Sequence, residues 1–248
     1  MSHQARPHSL GLFARAGFQE LTGSRAALLA LAESCEQPAE LLLDAFALAA
    51  DPDAALNRIG LLAERHPERL RRFDDEMWRR LALLVGASPA LGDFFVRHPE
   101  RLLAVLRGGG RLIDAADARA ELLAAVQASG VECPVAGLPA EAGACALRVR
   151  YRELLAEVML HDLMCGAAGA DEGATQAFDG VSAALSDLAA AALEAALAVA
   201  RATLIAGASG PPVSRERIAA TRLSVVAMGK CGARELNVVS DVDGIVVA

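Results

Sequence analysis

The chain has 248 residues, 54% of them hydrophobic, enough for one large domain or two modest ones around a sizeable core. Alanine and leucine dominate while aromatic residues make up 4%, a balance that predicts mostly α structure. A formal charge of −7 excludes the basic surface of a nucleic-acid binder, because the arginines around 69–80 are interspersed with acidic residues.

Residues 1–10 are polar and read as a loose start. Helical patterns follow at about 25–35 and 39–50, the second opening after Pro38. Asp51-Pro52-Asp53 breaks the chain, because a residue before proline avoids the helical region, and a further helix is expected over 53–65. Two more are expected at about 68–86 and 89–107. Ser88 offers an N-cap ahead of Pro89, and His98-Pro99 divides the later stretch into two segments. Gly108-Gly109-Gly110 is a stop, and 114–128 is again helical.

Cys133-Pro134 and Leu138-Pro139 mark 129–141 as a connecting loop. An amphipathic helix at about 143–165 follows, with Leu147, Tyr151, Leu154 and Val158 on one face and Arg148, Arg152 and Glu153 elsewhere. A glycine-rich break at 166–173 leads to a long helix, about 177–206, expected to pack antiparallel on its predecessor. No period of 20–50 residues indicates a solenoid. The stretch 207–212 is taken as the principal boundary: a helical region over 1–210, with an internal break expected near 108–141, then a different kind of sequence over 211–248.

Two general points bear on setting. The five cysteines form no Cys-x-x-Cys pair, and no apolar signal core opens the chain, which predicts a reduced, cytoplasmic environment. Residues 188–208 are apolar enough to test as a membrane span, but Glu194 and Arg201 lie within them. Each charge near a span centre costs roughly 2.5–3.5 kcal/mol, so a bundled helix and no membrane association are expected.

The chemistry concentrates in 225–247, VVAMGKCGARELNVVSDVDGIVV. Residues 223–228 read as a buried strand, 233–237 as a short helix and 241–247 as a second strand. Asp241 and Asp243 are two apart and would share one side of a strand, where their carboxylates suit a hard cation such as Mg²⁺. Gly229 and Gly232 permit close approach of backbone to a phosphate, Lys230 adds a positive charge, and Ser240 is either a hydrogen-bond donor to a phosphate or a turn-former. The order of residues is not that of a Walker loop.

The succession strand, Gly-Lys-x-Gly, Arg-Glu-Leu-Asn, Ser-Asp-x-Asp, strand resembles the nucleotidyltransferase core of glutamine synthetase adenylyltransferase/adenylyl-removing enzymes. Gly229, Lys230, Gly232, Glu235, Leu236, Ser240, Asp241 and Asp243 match that family's motif. The stretches 86–100, 147–163 and 185–197 resemble its amino-terminal helical region, and the wording around Met228–Asn237 looks closest to the actinobacterial branch.

The resemblance implies a helical bundle followed by the start of an α/β nucleotidyltransferase core, incomplete at its C-terminus. It implies phosphorolytic removal of AMP from a tyrosine of glutamine synthetase, with AMP addition from ATP by another half of the enzyme. Asp241 and Asp243 would be the catalytic metal ligands, Gly229, Lys230, Gly232 and Ser240 would surround the phosphates, and Mg²⁺ with ATP, ADP and inorganic phosphate would be the small-molecule set. Glutamine synthetase and a PII-type signal protein are the implied partners. Gly244 stands where the family carries a bulky apolar residue, which predicts a weakened strand.

A competing reading is a non-catalytic helical module that binds partners. A small-molecule nucleotidyltransferase is disfavoured by the long helical region before the core. His66 and His98, each before proline, read as capping groups, and Trp78 and the phenylalanines as core.

Overall fold

A computed structural model describes residues 9–167, 174–208, 210–221 and 223–247. Most of the break expected at 166–173 lies outside the described residues. The elements are α1 Leu10–Arg15, α2 Leu21–Cys35, α3 Ala39–Phe46, α4 Pro52–Arg65, α5 Pro67–Leu70, α6 Asp75–Ala87, α7 Pro89–Arg97, α8 Pro99–Gly108, α9 Ala115–Ala125, α10 Ala140–Ala167, α11 Ala174–Ile205, α12 Arg215–Ala220, β1 Ser224–Ala227, α13 Gly229–Ala233 and β2 Gly244–Val247. The fold is mainly α, as its composition predicts. Contacts divide it into two compact units, Met1–Gly110 with Leu163–Gly169 and Arg111–Asp162 with Ala170–Ala248.

In the first unit the helix starts follow their caps. Asp51 accepts a hydrogen bond from the Ala54 N–H at 2.9 Å and Asp74 one from the Met77 N–H at 2.8 Å. Ser88 caps α7 ahead of Pro89. The stretch expected as one helix over 68–86 is two, because Asp74 begins a new helix after the turn at Arg71–Phe73. Conversely α3 stops at Phe46, short of residue 50, and the short helix α1 had no predicted counterpart.

The hexapeptide Arg-His-Pro-Glu-Arg-Leu occurs at both 65–70 and 97–102, and it builds the same junction twice. His66 caps α4 and His98 caps α7, their N–H groups donating to Leu62 and Phe94 carbonyls at 2.8 Å. Each Nδ1 faces the glutamate two residues on, at 3.8 and 3.6 Å. Trp78, Phe13, Phe46, Phe94 and Phe95 are fully buried in this unit's core, as expected of them, whereas Phe178 on α11, also expected in a core, is 59% exposed.

In the second unit α9, α10 and α11 share one core. Leu122 of α9, Leu154 and Val158 of α10, and Leu185, Leu188 and Ala198 of α11 are buried in it. Leu147 and Tyr151 pack against that core from α10, so the predicted apolar face is the one used. The early turn of α10 meets the late turns of α11: a Cβ on Gly143 would lie 3.0 Å from Val199 Cγ2. The two long helices are therefore antiparallel.

The stretch Phe178–Ile205 of α11 is long and apolar enough to cross a membrane by length and composition. In this fold its buried stripe faces the core, and Glu194 takes a two-pronged pair with Arg119 at 2.6 and 2.7 Å. Loop 129–139 is pinned to the same helix, Ala136 N–H donating to the Ala198 carbonyl and Arg201 to that of Pro134.

β1 and β2 form an antiparallel pair in which Ser224 faces Val247 and Ala227 faces Gly244. Both strands are exposed along their length, which corrects the expectation of a buried strand at 223–228. An apolar β-branched run reads the same whether or not another layer packs on it, and here every residue of both strands stays exposed. The second strand begins at Gly244, so Asp241 and Asp243 lie in the segment leading into it rather than on it.

Candidate functional site

The site residues named from sequence gather at one end of the hairpin. The chain leaves β1 at Ala227 and winds at once into α13, which occupies Gly229–Ala233 instead of the expected 233–237. This early start has a steric cause. Gly229 adopts φ +54°, a left-handed conformation that glycine takes without strain. Gly232 folds so tightly back on β1 that a Cβ there would run into the Ala227 carbonyl oxygen. The Gly232 N–H donates to the Met228 carbonyl at 3.1 Å and closes the turn.

Arg234 ends α13 in the left-handed region, with φ +60°, and the Glu235 N–H reaches back to the Lys230 carbonyl at 2.8 Å. Two apolar side chains then plug the turn into the helical unit: Cys231 and Leu236 are both buried in the core shared with α9, α10 and α11. Arg234 adds a two-pronged ion pair with Asp187 of α11, its Nη2 lying 2.9 Å from Oδ2. The hydrogen bond and charge of Asp187 raise the Arg234 guanidinium above its ordinary value.

The loop after α13 is organised by Asn237. Its Oδ1 accepts from the Val239 N–H at 3.1 Å and from the Ser240 hydroxyl at 2.8 Å. The Lys230 ammonium and the Asn237 N–H both lie 3.4 Å from Ser240 Oγ. Ser240 thus forms the turn and meets Lys230 at the same time. Sequence reasoning missed Asn237, although the Asn-x-x-Ser spacing is that of a side-chain-capped turn and could have exposed it.

Asp243 returns the chain to the glycine turn. Its carbonyl accepts from the Met228 N–H at 2.9 Å, and its Oδ2 lies 3.8 Å from the point a Cβ on Gly229 would occupy. Val242, between the two aspartates, lines a cleft of about 480 Å³ over Leu147, Tyr151 and Leu193. Burial pushes the Tyr151 hydroxyl of that cleft up, with the Cys231 thiol adding to the effect.

Asp241 and Asp243 are both exposed, and among the described residues neither pairs with a cation. Two free carboxylates are the oxygen donors a hard divalent cation takes, so the pair fits part of such a site. Among the described residues no group of three or more His, Cys, Asp or Glu side chains is arranged to hold a metal. Cys35, Cys133, Cys145 and Cys231 are free thiols.

Comparison with known proteins bears on the same residues. The family model described as glutamate-ammonia ligase adenylyltransferase matches residues 78–248, the stretch that includes the whole glycine turn and both aspartates. A bifunctional glutamine synthetase adenylyltransferase/adenylyl-removing enzyme of Leifsonia xyli is 45% identical over 96% of the chain. The enzyme of the same name from Bifidobacterium longum is 36% identical over 98%, and that of Mycobacterium bovis 36% over 84%. The chain spans 23%, 22% and 19% of these relatives' lengths. No solved structure matches it. With two thirds of its residues under the family model and a relative this similar along nearly its whole length, the chain belongs to the glutamate-ammonia ligase adenylyltransferase family.

Proposed function

We propose that residues 223–247 form part of a nucleotidyltransferase centre that removes AMP from a tyrosine of glutamine synthetase. The carrying observation is that the turn at Gly229–Ala233 gathers Lys230, Ser240 and Asp243 at one end of the hairpin. Membership of a family whose relatives are named for adenylylation and its removal supports the choice of reaction.

In this reading Asp241 and Asp243 hold Mg²⁺, and Gly229, Lys230, Gly232 and Ser240 surround the phosphates. The cation, when bound, neutralises phosphoryl oxygens and aligns nucleophile with leaving group. Lys230 sets a positive charge beside the Ser240 hydroxyl, and Asn237 fixes that hydroxyl's orientation. Inorganic phosphate attacks the AMP phosphorus, the bond to the tyrosine oxygen breaks, and ADP leaves with the free tyrosine. AMP addition from ATP belongs, in this proposal, to another part of the protein, and the helical units contact glutamine synthetase or a PII-type signal protein.

The test is Asp241→Asn in the protein that carries this chain, assayed for ADP release from adenylylated glutamine synthetase and phosphate. A fall of at least ~10²-fold is expected, with the circular-dichroism spectrum unchanged. Wild-type turnover would sink the proposal and leave the chain as a helical partner-binding part.

A further inference from the structure

The glycine turn carries the candidate phosphate-binding groups, yet the hairpin that flanks it is exposed on both strands. Something else must therefore fix where Lys230 and Asp243 stand. Three attachments tie the turn to the helical unit: the buried Cys231, the buried Leu236 and the ion pair of Arg234 with Asp187. The first two are apolar plugs, which resist withdrawal but tolerate rotation. The third is directional, because a guanidinium meets a carboxylate in one plane through two parallel hydrogen bonds.

Its location gives that directionality a consequence. Arg234 is the residue that ends α13, so its backbone orientation sets that of the helix holding Lys230 four residues earlier. The residue after Arg234 is tied to the Lys230 position, the Glu235 N–H donating to the Lys230 carbonyl at 2.8 Å. Asp187 sits midway along α11, whose neighbours Leu185 and Leu188 are buried, so it is an anchor on a packed helix. Its side chain is 11% exposed, whereas that of Arg234 is 56% exposed. The rigid partner is the carboxylate and the guided partner is the arginine.

We infer that Asp187 is a positioning residue for nucleotidyl transfer, acting through Arg234 to hold the Lys230 turn in register with Asp243. This deepens the function proposed above and rests on it. Asp187 touches neither phosphate nor the Asp241–Asp243 pair in this account. Its effect is on alignment, and misplacements on the order of 1 Å can cost ~10²-fold in rate.

The experiment compares Asp187→Asn, Arg234→Lys and the exchanged pair Asp187→Arg/Arg234→Asp in the protein that carries this chain, alongside Asp241→Asn. Phosphorolysis of adenylylated glutamine synthetase is followed for kcat and for KM of inorganic phosphate, with the thermal midpoint as a control. Both single variants are expected to lose roughly 10- to 100-fold in kcat, with KM within about twofold and the midpoint nearly unmoved. The exchanged pair is expected to recover part of that loss, because aspartate accepts the left-handed backbone that residue 234 requires.

If Asp241→Asn is inactive while Asp187→Asn and Arg234→Lys both turn over at the wild-type rate, the positioning role falls and the assigned reaction stands. Losses of kcat that track a lowered thermal midpoint, with no recovery in the exchanged pair, also overturn it, since they describe a structural bond only. Wild-type turnover by Asp241→Asn overturns the reading beneath it and the inference together.

Discussion

At Gly232 the absence of a side chain is what lets the glycine turn exist. A Cβ would collide with the carbonyl oxygen of Ala227 and lie 3.0 Å from that carbonyl's carbon, both rigid backbone atoms. Gly232→Ala is therefore expected to cost about 1–3 kcal/mol, by forcing α13 away from β1. Gly60→Ala is the matched control: it lies inside α4, its Cβ would meet nothing within 4 Å, and it is expected to stabilise by about 0.5–1 kcal/mol. Thermal denaturation of the two variants separates the cases. The glycine's place in a motif was legible in the sequence, but its reason was not. A phosphate and a neighbouring carbonyl both demand a bare Cα, and only coordinates tell them apart.

Between elements, charged side chains tie the segment before α9 to α9 and α10. Arg111, Glu121, Arg150, Glu153 and Glu157 form one network in the second unit. Arg111 contacts Glu121 at 2.5 Å and Glu157 at 2.6 Å, and Arg150 pairs with both Glu121 and Glu153. Burial pushes the Glu121 carboxyl up, but hydrogen bonds from Arg150 and Arg111 outweigh it and hold the group below the usual glutamate range. The unfolded chain therefore binds that proton more readily than the folded one. The stabilisation is present above the ordinary glutamate range and lost as pH falls through the lowered folded value.

Arg150→Ala is expected to cost about 1–3 kcal/mol at about pH 7, and the gap to wild type should narrow toward about pH 3. Urea unfolding across that range measures it, and a gap independent of pH would exclude this mechanism. The contribution of the more exposed Arg111 is smaller, because solvent screens it. Local spacing foretold the helices that carry the glutamates and Arg150, and the Arg150–Glu153 pair is local, but the other partners are 10 to 46 residues apart in sequence, beyond any local signal.

Across the molecule, two separate cores define two compact units. Trp78 is fully buried in the first and Leu188 in the second. Trp78→Ala is expected to cost about 3–5 kcal/mol and to lower amide protection chiefly within 9–110, and Leu188→Ala about 2–5 kcal/mol, chiefly within 111–162 and 178–247. Native-state hydrogen exchange reads both. Uniform loss of protection along the chain in either variant would show that the cores do not behave as separate units.

By itself the sequence determined the mainly helical class, the helix start at Pro89, the break at His98-Pro99 and the motif around Lys230. These rest on restricted backbone angles and caps that act within about four residues. Only the tertiary structure decided that the hairpin is exposed, that α13 starts directly after β1, and that Arg234 meets Asp187 47 residues away. Burial and ion pairing depend on which distant segments meet. A strand-like apolar run reads the same whether it is later covered or left open, and an arginine carries no mark of the carboxylate it will find.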